Sequence, residues 1–310
     1  MRILIVKPSS LGDVIHALPT VNLIRQQFPD AHIAWLINHE LASLLKHCPV
    51  INECIEFYRR ESGTWLPLLR QLRRERFDLV VDLQGLLRSG FFTFATGAVR
   101  RIGLSDAREG ARLSYNEVVT VERTHAVDRY LRAARHLNCP DGPIEFPLGV
   151  GAQPNERLIA INASARWKTK LWGDDKFAEL IRELSADRVV LTGTAADAPR
   201  LTLLAPHVRN LAGKTDLFEL AELYRRCAVV ITNDSGPMHL AAAVGTPVIA
   251  IFGPTDPVLT GPYGNQHIVL RAGLPCSPCF KDNCINPVKM ECMHKVTVES
   301  VLQAAKPFIL

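Results

Sequence analysis

The chain has 310 residues, 47% of them apolar and 22% charged, with a net charge of +5. That length suits two ordinary domains, and the composition excludes a disordered or low-complexity protein. The slight charge excess fits a phosphorylated substrate or an anionic membrane surface; duplex nucleic acid would call for a dense basic stripe, so nucleic acid is not an expected partner.

The first apolar run, residues 3–6, reads as a buried strand. It is too short for a signal peptide, and no small-residue cleavage site comes after it. Residues 14–28 read as an amphipathic helix, 32–37 as a strand, 40–47 as a helix and 53–57 as a short strand. A helix over 66–76 and a strand over 79–82 lead into the loop Leu83-Gln84-Gly85, and a further helix covers 126–137. This βαβα rhythm implies a parallel sheet with helices on both faces. Turn-rich segments at 139–143 and 149–154 mark a linker. The rhythm then restarts, with strands over 158–161, 188–191, 228–232 and 247–251 and helices over 175–184, 217–226 and 237–244. The expectation is an α/β protein of two Rossmann-like doubly wound domains, 1–150 and 151–310, facing a central cleft. A last helix over 297–309 is expected to pack back across the linker onto the first domain.

No stretch reaches the ~20 uninterrupted apolar residues of a membrane span. The most apolar region, 227–253, is interrupted by Asn233, Asp234, Gly236, Pro237 and His239. A cytoplasmic location is therefore expected. The basic runs Arg59-Arg60, Arg70 with Arg73-Arg74, and Arg100-Arg101 read first as solvated faces. Of the eight cysteines, Cys48, Cys54, Cys139 and Cys227 are scattered and read as small buried hydrophobes.

Three loops carry candidate chemistry. Ser9-Ser10-Leu11-Gly12-Asp13 joins the first strand to the first helix; Gly12 is expected to permit a tight turn, and Asp13 falls at the helix start. An Asp there is either an N-cap, worth ~1 kcal/mol, or a base within reach of a substrate hydroxyl. His16, one turn on, reads as structural. In Thr232-Asn233-Asp234-Ser235-Gly236-Pro237-Met238-His239, a strand runs through small residues into a helix with proline near its first position. The unpartnered N–H groups of such a helix form an anion site, although a plain capped helix has the same pattern. It is neither a Walker loop nor a G-x-G-x-x-G fingerprint, which lowers the weight of kinases and dehydrogenases. Arg166-Trp167-Lys168-Thr169-Lys170-Leu171-Trp172 places cations at the same sheet edge, where they can meet a diphosphate or simply face solvent; Trp172 reads as core. Phe252-Gly253-Pro254-Thr255-Asp256-Pro257 forms a further loop at that edge.

Together, the stretches 7–19, 170–172, 233–239 and 245–257 resemble glycosyltransferase family 9, the ADP-heptose:lipopolysaccharide heptosyltransferases. The resemblance implies a GT-B fold and an inverting transfer of heptose from ADP-heptose to the lipopolysaccharide inner core, with no cofactor required for catalysis. It implies that Asp13 is the general base and that Lys170 neutralises the leaving diphosphate. Donor-binding residues would be Ser164, Arg166, Thr215, Asp234, Ser235, Gly236, Met238 and His239. Acceptor-binding residues would be Ser10, Gly12, Arg59, Arg60 and Arg108. An anionic lipopolysaccharide precursor as acceptor implies peripheral contact with the cytoplasmic face of the inner membrane. The remaining cysteines, Cys276, Cys279, Cys284 and Cys292, are clustered; some relatives carry a cysteine cluster, and a structural zinc or iron is an expectation here beside that of four reduced thiols. The start of the chain resembles the first heptosyltransferases, and the cysteine cluster the second. Alternatives are a GT-B transferase of another nucleotide sugar, an epimerase, or an inactive protein that only binds nucleotide sugar.

Overall fold

The computed structural model describes residues 1–309, the side chain of Ser62 excepted. The chain forms two compact units, Met1–Gly149 and Val150–Leu310.

In the first unit, six strands form one parallel sheet: β1 (Arg2–Val6), β2 (His32–Asn38), β3 (Glu53–Phe57), β4 (Leu79–Asp82), β5 (Arg100–Leu104) and β6 (Glu117–Val119). Their order is β3-β2-β1-β4-β5-β6. The chain builds outward from β1 on one side, then returns to pair β4 with β1 on the other, Val6 opposite Asp82. This reversal opens a crevice at the carboxyl ends of β1 and β4. The helices are α1 (Leu11–Gln27), α2 (Trp65–Arg74), α3 (Leu87–Ala95) and α4 (Ala126–His136). β1 is covered on both faces, which is why it reads as a continuous apolar run. The amphipathic helix expected over 14–28 is instead buried on every side from Val14 to Ile24, packed against α4. Residues 40–47 form a 3₁₀ helix, His39–Leu45, rather than an α-helix.

The second unit repeats the plan with β7 (Leu158–Asn162), β8 (Val189–Leu191), β9 (Arg209–Asn210), β10 (Cys227–Asn233), β11 (Val248–Phe252) and β12 (Ile268–Arg271), in the order β12-β11-β10-β7-β8-β9. Its reversal lies between β7 and β10, where Asn162 pairs with Thr232. The helices are α5 (Asp174–Glu183), α6 (Ala198–Leu204), α7 (Leu217–Arg226), α8 (Gly236–Ala243), α9 (Pro257–Thr260), α10 (Glu291–His294) and α11 (Val298–Ile309). The last helix does not behave as expected from the sequence: Val301 and Ala305 of α11 join Trp172 and Phe177 in the core of the second unit. Apolar burial decides this, since α11 carries its hydrophobic stripe to the helix-bearing face over β10, β11 and α5.

Candidate active site

In the first unit, the loop after β1 brings Asp13 to the strand reversal. Ser10 is the N-cap of α1, and Asp13 sits three residues into the helix. Gly12 is therefore helical and buried rather than a turn residue. Asp13 Oδ2 accepts from the Ser10 N–H at 3.2 Å and from the Ser10 hydroxyl at 2.7 Å. It thus supports the helix start as the fourth residue of a capping box. Tyr130 of α4 donates its hydroxyl to Asp13 Oδ1 at 3.2 Å, and Lys7 Nζ lies 3.9 Å from the same oxygen. The Lys7 ammonium also lies 5.0 Å from the centre of the Tyr130 ring. Burial pushes the Asp13 carboxyl upward, but the Lys7 charge and the Ser10 hydroxyl outweigh it and hold the group below the usual carboxylate range. Asp13 is thus ionised at neutral pH. Burial in turn pulls Lys7 down, and the neighbouring Tyr130 and Asp13 more than restore it. His16 is buried and meets His125 edge-on at 5.3 Å.

The Asp13 side chain is 39% exposed and opens into a cavity of about 720 Å³. Lys7, Gln84, Gly85, Arg108, Arg123 and Arg129 are among its lining residues. Buried Asp82, at the end of β4, shapes one wall: its Oδ1 accepts from the N–H groups of Gln84 (2.8 Å) and Gly85 (3.1 Å), and its Oδ2 from the Tyr115 hydroxyl (2.7 Å). The Arg108 N–H donates to the Gly85 carbonyl at 2.8 Å, tying the loops after β4 and β5 together. Of the residues assigned to the acceptor, Arg108 lines this cavity, whereas Arg59 lines a smaller one with Arg88 and Ser89, and Arg60 is exposed on the loop after β3. Local pattern did not single out Lys7, Asp82, Arg123, Arg129 or Tyr130. A lysine closing an apolar strand was a usable signal for Lys7; nothing local tied Tyr130 to Asp13, 117 residues away.

In the second unit, the strand reversal gathers Lys170 and Asp234. Lys170 ends a 3₁₀ turn, Lys168–Lys170, and its ammonium lies 2.6 Å from Asp234 Oδ2. Thr255 donates to the same carboxylate at 2.5 Å. Asp234 is 4% exposed, so this pair is fixed in a low-dielectric setting. Ser235 caps α8 and Pro237 stands in its first turn. The Met238 N–H returns to the Ser235 carbonyl at 3.2 Å, and the Ser235 hydroxyl lies 3.3 Å from that of Thr232. Met238 was expected to meet the donor, but its side chain is fully buried in the core, and His239 is 8% exposed. Ser164 accepts from Arg200 at 2.9 Å; Arg166 is exposed, and Thr215 is half-buried beside Asp216, the cap of α7. Trp172 is buried, with its N–H bonded to Asn233 Oδ1 at 3.1 Å and its indole N–H to the Val296 carbonyl at 2.8 Å.

The expected metal at Cys276, Cys279, Cys284 and Cys292 does not fit the way these side chains are arranged. Among the described residues no group of three or more His, Cys, Asp or Glu could hold a metal ion. Two of the sulfurs accept N–H groups: Cys276 that of the Asn286 side-chain amide at 3.7 Å, and Cys284 that of the Met290 backbone at 3.3 Å. Burial, with the neighbouring thiols, pushes Cys292 up. The loop braces the donor side instead: Ser277 donates to the Gly253 carbonyl (2.5 Å), the Phe280 N–H to Pro254 (2.7 Å), and Thr169, next to Lys170, to the Lys281 carbonyl (2.9 Å).

A family model described as glycosyltransferase family 9 (heptosyltransferase) matches residues 65–289, well over half of the chain. The chain belongs to glycosyltransferase family 9. It is a glycosyltransferase, and the two reversed sheets are the halves of a GT-B fold. It is similar to lipopolysaccharide heptosyltransferase 1 of Pseudomonas aeruginosa PAO1, with 30% identity covering 92% of this chain and 87% of that protein. Among solved structures it is similar to E. coli heptosyltransferase WaaC with ADP, at 25% identity and a TM-score of 0.85 over 99% of each chain. The same E. coli enzyme is matched with ADP-2-deoxy-2-fluoro heptose bound, at a TM-score of 0.81 over 99% of each chain. E. coli ADP-heptose lps heptosyltransferase II matches at 25% identity and a TM-score of 0.82, covering 100% of this chain and 98% of that one. No helix among the described residues of this family 9 member is long and apolar enough to cross a membrane.

Proposed function

We propose that this family 9 enzyme transfers heptose, with inversion, from ADP-heptose to the lipopolysaccharide inner core. The observation that carries the reading is the Asp13 cavity: an ionised carboxylate in a lining that also holds Lys7, Arg108, Arg123 and Arg129, the last paired with Asp106. A cavity so lined suits an anionic sugar acceptor, and a carboxylate on its floor suits removal of a hydroxyl proton. Asp13 takes the proton of the acceptor hydroxyl, and the oxygen attacks the anomeric carbon of the heptose as the bond to ADP breaks. Tyr130, Lys7 and Ser10 hold the carboxylate in one orientation, so little reorganisation is needed as the proton moves.

On the donor side, Lys170 and the start of α8 receive the charge that builds on the departing diphosphate. Asp234 holds the Lys170 ammonium in place, and Thr255 fixes Asp234. The E. coli relatives that hold ADP and a fluorinated ADP-heptose support ADP-heptose as the donor. In this reading Ser235 and Gly236 contact phosphate, Thr215 and Ser164 lie on neighbouring donor-side loops, and Arg108 meets acceptor anions with Arg59 and Arg60 further out. The enzyme works at the cytoplasmic face of the inner membrane, where its acceptor resides, and needs no metal for transfer.

The test is ADP release from purified protein given ADP-heptose and a Kdo-containing lipid A acceptor. Release that depends on the acceptor is the expected result. Release without acceptor would point to hydrolysis or epimerisation, and binding of ADP-heptose without turnover would point to a sensor.

A further inference from the structure

α3 carries its hydrophobicity on the wrong side for a helix of a water-soluble domain. Ser89, Gly90, Phe92 and Thr93 face inward. Leu87, Phe91 and Phe94 face outward and are 60%, 47% and 62% exposed. Their spacing of four and then three residues puts them in one row along the helix. Leu113, 91% exposed, lies nearby on the 3₁₀ turn Ala111–Ser114, which packs on α3 at Gly90. Single exposed apolar residues are ordinary, but a contiguous row containing two phenylalanines marks a contact surface.

The charges around this row are mostly positive. Between residues 87 and 115 stand five arginines and two carboxylates, Asp106 and Glu109. Asp106 is paired with Arg129, and Glu109 accepts the Leu87 N–H at 3.2 Å, so each acid is engaged within the unit although both are exposed. Arg101 lies over the Phe94 ring, 5.9 Å from its centre, and Arg112 adjoins Leu113 on the exposed turn. Arg73 of α2 lies across Gly97, at the end of α3. An apolar row bordered by cations complements an anionic lipid surface, with phenylalanines at the acyl boundary and guanidiniums among the phosphates. A second copy of the chain would bring the same positive border against itself.

We infer that the outward face of α3, with Leu113, Arg73, Arg101 and Arg112, is the surface by which the first unit lies on an anionic membrane. This rests on the proposed function only for the lipid nature of the acceptor. The placement is apt: Gly85 lines the Asp13 cavity, and Leu87 begins the apolar row two residues later. An acceptor whose lipid stays in the bilayer can then offer its sugars to the cavity from the same side of the unit.

The experiment is co-sedimentation of the whole protein with vesicles of phosphatidylcholine, alone or mixed with phosphatidylglycerol, without donor or acceptor. Binding to the anionic vesicles that weakens with salt is expected. Phe91→Ser with Phe94→Ser should lower that binding at least ~10-fold, since two aromatic anchors are lost, and Arg73→Glu with Arg112→Glu should lower it similarly. Both pairs are exposed, so Tm and ADP release with a delipidated, water-soluble acceptor should be unchanged. Undiminished sedimentation of the Phe91/Phe94 variant, or equal binding to both vesicle types, would overturn the inference. So would a dimer of the wild type that the phenylalanine substitutions abolish. Vesicle binding is read without turnover, so failure of the transfer reaction and failure of membrane docking are separate results.

Discussion

The two units share one strand order and differ in the residues just past their reversing strands. In the first, β1 is followed at once by Lys7 and then by Asp13, a carboxylate still 39% exposed and held by Ser10 and by Tyr130 of α4. In the second, the connection after β7 supplies Lys170 and the residue just past β10 is Asp234, and the two are paired with Asp234 only 4% exposed. The same kind of crevice thus offers a reactive anion in one unit and a screened cation in the other. The scaffold fixes where chemistry can happen, and a few residues past each strand end fix its sign.

The largest effect expected from breaking this contrast is at Asp13. Asp13→Asn keeps an acceptor for the Ser10 N–H but removes the base, so ADP release should fall at least ~100-fold, and Tm should fall as well, because the buried Lys7 ammonium loses the carboxylate charge beside it. Equal activity would reduce Asp13 to its role in the capping box. Lys170→Met tests the other side. It leaves a buried carboxylate with only Thr255 as partner, so chemical denaturation should show a loss on the order of 3 kcal/mol and calorimetry a weaker affinity for ADP. Adding Asp234→Asn should recover most of the stability and none of the affinity. A double variant that regained ADP binding would mean that Lys170 serves only the pair.

Gly103→Ala probes how the first unit shapes its cavity. A Cβ there would come 2.1 Å from the Tyr115 ring, whose hydroxyl holds Asp82. A cost of about 2 kcal/mol is expected from the forced shift, with lower activity as the Gln84-Gly85 wall moves. The smallest effect at neutral pH should come from Lys7→Met. Without the lysine charge the Asp13 carboxyl rises toward its ordinary range, so the acid limb of the kcat/KM profile should move to higher pH. The groups facing Asp13 are Lys7, Ser10, His16 and Tyr130, with Arg129 beside them, and only Lys7 changes in this variant. A lowered folded-state pKa stabilises above the ordinary carboxylate range and loses that stabilisation as pH falls through the lowered value. The acid-sensitive part of the stability should therefore shrink in Lys7→Met; an unmoved acid limb would show that Lys7 does not tune Asp13.

Local pattern was enough for the elements that bury both faces, β1, β4, β7, β10 and β11, because such strands must be continuous apolar runs. The same pattern misled at α1, whose burial on all sides leaves no polar face to detect, and it was silent over 87–119. There α3 turns its phenylalanines outward, and β5 opens with Arg100 and Arg101. The Arg100 side chain is neutralised by Glu117 at 2.7 Å, and that of Arg101 donates to the carbonyls of Ala98 and Ser114. The cysteine spacing suggested a metal, and among the described residues no group of three or more His, Cys, Asp or Glu could hold one.

The sequence by itself determined the α/β class, the two-part plan, the loops that carry Asp13, Lys170 and Asp234, and a resemblance that the comparisons bear out. These are properties of short segments, set by apolar period and by residues next to each other in the chain. The tertiary structure decided which groups tune them: Tyr130 and Lys7 on Asp13, Tyr115 on Asp82, Thr255 on Asp234, and the unit in which α11 is buried. Such contacts join residues far apart in sequence, and their energy depends on a geometry that exists only once the sheets have closed.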